Sequence, residues 1–74
     1  MPSHIDRFAL RFCQVLAEET GWQPMQWRAL MAIAARARIL PRDLDQIVAL
    51  AIANRWLETK AGYSVRLTYE GRKL

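Results

Sequence analysis

Hydrophobic residues recur at helical spacing in three successive segments of this chain, and after Asn54 they recur at strand spacing instead. Spacings of three and four residues place apolar side chains on one face of an α-helix, whereas strict alternation places them on one face of a strand. We therefore predict helices over residues of about 3–20, 24–38 and 42–54, followed by a β-hairpin over about 56–68. A chain of 74 residues is long enough for one domain and not for two, so we expect a single, mainly α domain over residues 1–74.

The first predicted helix has a clear start and a clear end. Ser3 and Asp6 stand at the spacing of a capping box, with Asp in place of the usual Glu. Gly21 follows the periodic segment and is typical of the left-handed residue that closes a helix. The residues between them that share one apolar face are Ile5, Phe8, Ala9, Phe12, Val15 and Leu16.

The second predicted helix begins near Pro24, which suits a first helical position because its missing N–H would have no partner there. Trp27, Leu30 and Ile33 follow at three-residue steps and predict an apolar stripe. Since Pro41 disfavours helix at the residue before it, the segment is expected to end near Arg38.

The third predicted helix carries many apolar residues between Leu44 and Ile52, so we expect it to be the most buried of the three. Asn54 is expected to be its C-terminal cap, because Asn tolerates the left-handed conformation. Its narrow polar face is formed by Arg42, Asp45 and Gln46 and completed by Ala49 and Ala53.

The segment after Asn54 predicts two strands joined by a turn at Ala61-Gly62. In the second strand Tyr63, Val65 and Leu67 alternate with polar residues, which predicts one buried face. An isolated hairpin is marginally stable, so this one must pack on the helices.

Three helices followed by a hairpin is the order of a winged helix, and the closing residues strengthen this resemblance. Asn54-Arg55-Trp56-Leu57 and Val65-Arg66-Leu67-Thr68-Tyr69-Glu70-Gly71-Arg72 resemble the wing of bacterial regulators of the MarR and PadR type. In those families the wing closes with Leu-Thr-x-x-Gly-Arg, and a glycine usually stands at the position of Arg55. The resemblance implies a three-helix winged helix-turn-helix, with Leu67 in the core and Thr68 capping a terminal helical turn.

The same resemblance implies binding of double-stranded DNA and a role in transcription regulation. In such domains the third helix enters the major groove and the wing contacts phosphate or the minor groove. Arg42 and Gln46 would read guanine and adenine, and the small Ala49 would allow close approach. The expected phosphate contacts are Arg36 and Arg38 in the turn before that helix, with Lys60 and Arg66 on the wing. A net charge of +4 favours polyanions only slightly.

A second interpretation is a winged helix that binds protein and not DNA, possible partners being a second copy of the chain or a larger assembly. Asp45 would be repelled by phosphate on a groove-facing surface, and an alanine-rich helix face suits packing against protein. Met25, Met31 and Leu10 are apolar residues predicted outside their helix stripes. If they form one patch, they indicate an interface.

Composition excludes several other classes of protein. A hydrophobic fraction of 53% excludes a disordered chain. With Cys13 alone, neither an intramolecular disulfide nor a cysteine zinc site can form, so we expect a reducing, cytoplasmic location. The polar N-terminus does not resemble a signal peptide, and the apolar run 47–53 is too short to span a membrane.

The residues that could support catalysis are isolated from one another. His4 has no second ligand near it, Cys13 has no histidine to activate it, and no glycine loop for phosphate is present. We therefore expect no enzyme activity, no metal and no cofactor. Trp22, Trp27 and Trp56 are expected to have structural roles, because a small core usually buries its aromatic side chains.

Overall fold

A computed structural model describes residues 4–23 and 26–73 of the chain. The described residues are mainly helical, with a small antiparallel sheet of three strands. In chain order the elements are α1 (His4–Glu19), β1 (Arg28–Ala29), α2 (Leu30–Arg36), α3 (Pro41–Ala53), β2 (Leu57–Lys60), β3 (Ser64–Leu67) and α4 (Tyr69–Arg72). A mainly α fold with a small hairpin is therefore confirmed. Ser3, predicted to cap the first helix, and Pro24, predicted as the first residue of the second, lie outside the described residues.

Helix α1 follows its predicted pattern. Phe12 and Leu16 are fully buried, and Ile5 and Phe8 pack at the edge of the same core. Gly21 adopts a φ of 63°, as a left-handed helix end requires, and the Trp22 N–H donates to the carbonyl of Ala17 at 2.7 Å. The core lies where α1, α2 and α3 meet one face of the sheet, and its largest members are Phe12, Leu16, Ile33, Ile47, Leu57 and Leu67.

The prediction of one helix over 24–38 is wrong at its start. Helix α2 begins at Leu30, and the residues just before it form strand β1, in which Arg28 pairs with Val65 and Ala29 with Ser64. Trp27 is therefore not part of a helical stripe. Strand β1 supplies partners to an edge of β3 that would otherwise have unpaired backbone groups, and this tertiary pairing outweighs the local helical spacing.

Strand β3 is the centre of the sheet, with the strand order β1-β3-β2. The predicted two-stranded hairpin is thus part of a three-stranded sheet. Val65 and Leu67 are fully buried, as their alternation predicts, but Tyr63 is exposed. Tyr63 lies in the loop 61–63 and not in the strand, so Lys60 pairs with Ser64 and Glu58 with Arg66.

Asn54 is the C-terminal cap of α3, as predicted, but it does not adopt the left-handed conformation. Its φ is −86°, and its side-chain amide donates to the Leu50 carbonyl at 2.9 Å. The left-handed residue is Arg55, with a φ of 62°. This is the position at which the resemblance places a glycine. Helix α3 is also not the most buried of the three helices, since four of its 13 residues are buried against three of the seven of α2. Ile52 is exposed.

The segment 67–71 has a clear physical role in joining the sheet to α3. The Thr68 hydroxyl donates to the Arg55 carbonyl and accepts from the Gly71 N–H at 3.0 Å, while the Thr68 N–H donates to the Trp56 carbonyl at 2.9 Å. Thr68 is thus the N-cap of α4, as expected from the resemblance. Gly71 is buried against Trp56 and Leu67.

We expect Gly71→Ala to lower the free energy of unfolding by about 2 kcal/mol, because the new methyl group overpacks a site with no space. Its Cβ would overlap the Trp56 carbonyl oxygen and come within 2.7 Å of Leu67 Cδ1. Urea denaturation measures this change. The neighbouring exposed substitution Arg72→Ala is the control, and an unchanged midpoint for Gly71→Ala would show that this packing is not a constraint.

Candidate functional site

Helix α3 presents an exposed stripe formed by Arg42, Gln46, Ala49 and Ala53. At about 100° per residue, the four side chains fall within about 60° of arc around the helix axis. The opposite face of α3 is buried and packs against α1. The structure therefore brings three of the predicted base-contacting residues, Arg42, Gln46 and Ala49, onto one solvent-facing surface, which we call the α3 stripe.

One edge of the α3 stripe has a different character. Asp45 and Ile52 are exposed and lie about 40 to 60° beyond the stripe on the same side, by helical geometry. Leu40, which precedes the helix, is also 51% exposed. An acidic residue and an apolar one thus flank a surface whose only charged member is Arg42.

The two arginines before α3 have different surroundings. Arg36 forms an ion pair with Glu19 at the end of α1, and its side chain remains largely exposed. Arg38 is exposed at a φ of 58° and forms no side-chain hydrogen bond or ion pair among residues 4–23 and 26–73. The structure therefore leaves Arg38 available to a ligand, whereas Arg36 already has a partner.

The predicted wing residues lie on the outer face of the sheet. Arg66 is directly opposite Glu58, and their side chains form an ion pair at 3.0 Å. The guanidinium also lies over the indole of Trp27, 4.6 Å from the ring centroid. Lys60 is exposed, with its ammonium 6.0 Å from the same centroid, near the limit of a cation–π contact.

Arg66 is consequently held in place by its neighbours. Its side chain is only 24% exposed, and its Nε has no hydrogen-bond partner within the described part of the chain. The indole face of Trp27 partly offsets the cost of that unpaired N–H. Of the two predicted wing cations, Lys60 is thus the more accessible one.

The tryptophans do not all behave as predicted. Trp27 and Trp56 are half-buried, and Trp56 packs against the core. Trp22 is 48% exposed, so it is not buried in the core as expected. It also has a positive φ of 64°.

Arg55 is a further candidate contact, which the sequence patterns did not indicate. Arg55 is exposed immediately after α3 and, like Arg38, has no ion pair or side-chain hydrogen bond with another described residue. Its position could have indicated it. The resemblance places a glycine there, so an arginine at this position is a departure that suggests a role for the side chain.

The apolar residues outside the helix stripes are exposed as predicted, with Leu10 at 38% and Met31 at 57%. They lie on different helices, α1 and α2. Met25 lies outside the described residues.

The other residues considered for reactivity or metal binding, Cys13 and His4, lie apart from the α3 stripe in α1. Cys13 is buried in α1, and desolvation raises the pKa of its thiol to about 12. His4 packs edge-on against Phe8, and no cluster of potential metal ligands is found in the parts of the chain that are described. Within those same parts, no helix is long and apolar enough to span a bilayer.

No protein-family model, curated protein or solved structure matches this chain. The likeness to MarR and PadR wings accordingly rests on the sequence of residues 54–57 and 65–72 alone.

The raised thiol pKa predicts both low reactivity and an alkaline effect on stability. A group whose pKa is higher in the folded state stabilises the fold fully below the unfolded value of 9.0, and loses that contribution as the pH rises toward about 12. Between pH 8 and 10 the wild type should therefore lose about 1 kcal/mol more free energy of unfolding than Cys13→Ala.

Chemical denaturation of both proteins at the two pH values measures this difference. In parallel, iodoacetamide should modify Cys13 slowly in the native protein and rapidly in denaturant. Equal pH dependence of the two proteins, or fast native alkylation, would contradict the buried placement of this thiol.

Proposed function

We propose that this chain is a winged-helix domain that binds double-stranded nucleic acid through the α3 stripe and the β2–β3 hairpin. Support for the arrangement comes from the order of elements, in which α1, α2 and α3 precede the hairpin. Strand β1 adds to the sheet without changing that order. Further support comes from the Thr68 and Gly71 contacts, which give a physical reason for the closing Leu-Thr-x-x-Gly.

The observation that carries the proposal is the chemistry of the α3 stripe. Arg42 and Gln46 are exposed one helical turn apart, and neither forms a side-chain hydrogen bond or ion pair with another described residue. Arginine and glutamine are the side chains that pair bidentately with guanine and adenine edges. Ala49 and Ala53 continue the stripe with small side chains, so the helix backbone can approach the floor of a groove closely.

Phosphate contacts would come from the cations near the stripe. Of the four cations predicted for this task, Arg38 and Lys60 are the accessible ones. Arg36 can exchange Glu19 for a phosphate at small cost, because an exposed ion pair is worth about 0 to 1 kcal/mol. Arg66, stacked on Trp27, would stabilise the hairpin and add positive potential to it.

The charge distribution also favours a polyanion at this end of the chain. Residues 55–73 contain five basic residues, Arg55, Lys60, Arg66, Arg72 and Lys73, against the two acidic residues Glu58 and Glu70. That net charge of +3 is most of the +4 of the whole chain. A lone module of this size makes few contacts, so it should bind weakly unless it acts as part of a dimer or an assembly.

A second candidate function is recognition of another protein by the same surface. The exposure of Leu40 and Ile52 together with Asp45 favours it, since apolar side chains gain more from a protein partner than from phosphate. A transcription regulator or accessory factor is the proposed context of the first function. An adaptor in a protein assembly is the context of the second.

We expect the double substitution Arg42→Ala/Gln46→Ala to weaken binding to a random-sequence 20-base-pair duplex several-fold, because the α3 stripe then loses its one cation and both side chains that can form hydrogen bonds in the groove. Thermal unfolding should be nearly unchanged, since both side chains are exposed. Fluorescence polarisation at several salt concentrations measures the affinity, and a steep loss of wild-type binding with salt is expected from counterion release.

The chain offers a matched control in Arg11→Ala/Gln14→Ala, which removes the same two residue types from the exposed face of α1. That variant should bind nearly as the wild type does. If both variants lose affinity equally, only general charge attracts the DNA. If the wild type does not bind at low salt, protein recognition replaces DNA binding as the function of this surface.

A further inference from the structure

Two arginines in the left-handed conformation bracket helix α3. Arg38, with a φ of 58°, precedes the helix, and Arg55, with a φ of 62°, follows it. Residues with a Cβ rarely adopt this conformation, and glycine is the usual choice at such helix ends. Each arginine is therefore placed where a glycine would serve the backbone better.

Neither arginine side chain forms a hydrogen bond or an ion pair that would stabilise the described part of the fold. The backbone hydrogen bonds at these positions, from Arg38 N–H to the Ala35 carbonyl at 3.1 Å and from Arg55 N–H to the Ile52 carbonyl at 2.9 Å, are ones that a glycine would also make. Both side chains are exposed and have no ion pair or side-chain hydrogen bond with any other residue described.

Other arginines of the sheet and of α2 differ in this respect. Arg36 pairs with Glu19 and Arg66 with Glu58, while Arg28 donates to the Trp27 carbonyl and to the Gln26 side chain. These three contribute contacts to the fold. A strained backbone position that holds an uncommitted side chain is typical of a functional site.

We propose that Arg38 and Arg55 are phosphate-binding residues, one at each end of the α3 stripe, which hold the two backbones of a duplex while the stripe faces the bases. The 13 residues of α3 span about 20 Å. Because the major groove is about 12 Å wide, a helix of this length that crosses it brings its two ends to opposite phosphate backbones. The guanidinium group suits this task, since it binds phosphate through two parallel N–H donors.

This inference rests on the proposed function and assigns a different role from that of Arg42. Arg42 lies on the stripe and would contact base edges, whereas Arg38 and Arg55 would contribute charge that is independent of sequence. The inference adds Arg55 to the binding residues. It lies between α3 and the β2–β3 hairpin, the two elements that the resemblance assigns to DNA contact.

The test uses Arg38→Gly and Arg55→Gly, because stability and binding should change in opposite directions. Glycine relieves the left-handed backbone, so each variant should melt at the wild-type temperature or up to about 5 °C above it. Each should bind a random-sequence 20-base-pair duplex several-fold more weakly at low salt. The slope of log affinity against log salt should fall by about 0.9 for each phosphate that the variant no longer binds.

Arg38→Lys and Arg55→Lys retain the charge at the same backbone angle and should keep most of the affinity and the slope. Arg11→Gln removes one charge from α1 and is the control for net charge. It should leave the salt slope unchanged.

Three results would overturn the inference. If the glycine variants bind with wild-type affinity and slope while the wild type binds DNA, the proposed function survives and these two arginines are not part of it. If the glycine variants are clearly less stable, the arginines serve the fold. If the wild-type chain binds no duplex at low salt, the proposed function and this inference fail together.

Discussion

Pairing of strand β3 on both of its edges determines where the rest of the molecule can lie. On one side it pairs with β1, whose last residue leads directly into α2, and on the other with β2, which follows α3. The Leu30 N–H at the start of α2 also donates to the Tyr63 carbonyl in the hairpin loop at 2.8 Å.

At the other end of β3, Thr68 is hydrogen-bonded to the carbonyl groups of Arg55 and Trp56 just after α3. The buried side chains of Val65 and Leu67 complete the connection to the core, so the hairpin and α3 are held in one fixed arrangement.

Local sequence patterns predict the parts of this fold that local interactions stabilise. The spacing in α1 and α3 and the alternation of Val65 and Leu67 indicate these elements correctly, because periodic burial against one core produces such patterns. Strand β1 could not be predicted in this way. Its pairing partners, Ser64 and Val65, lie far along the chain, and the three-residue steps of Trp27, Leu30 and Ile33 fit a helix equally well.

The hairpin register shows the same limit at finer scale. A two-residue turn at Ala61-Gly62 would place Tyr63 opposite Lys60 and Val65 opposite Glu58. The actual loop includes Tyr63, and this shift by one residue brings Arg66 opposite Glu58. The exposed α3 stripe was predictable from helical period alone, whereas the partners of Arg36 and Arg66 depend on tertiary contacts. The positive φ likewise falls on Arg55, the residue after the cap, and not on Asn54 itself.

These contacts divide five of the arginine residues into two groups with different surroundings. Arg36 and Arg66 are engaged by carboxylates, and Arg66 also by the Trp27 ring, so they contribute to the fold. Arg38, Arg42 and Arg55 surround or occupy the exposed side of α3, and none has an ion pair within the described residues. Because α3 is fixed to the hairpin through β3, Lys60 would be presented in a constant orientation relative to them.

The most direct test of the account is an NMR titration of the isotope-labelled protein with a short duplex, followed through backbone and arginine side-chain signals. Binding through the α3 stripe predicts shifts confined to residues 38–55 on the exposed side of α3, to the arginine side-chain signals of Arg38, Arg42 and Arg55, and to the hairpin around Lys60. The signals of α1 should stay in place, because α1 packs on the buried face of α3. Shifts centred on α1, or none at low salt, would contradict the assignment of α3 as the surface that binds nucleic acid.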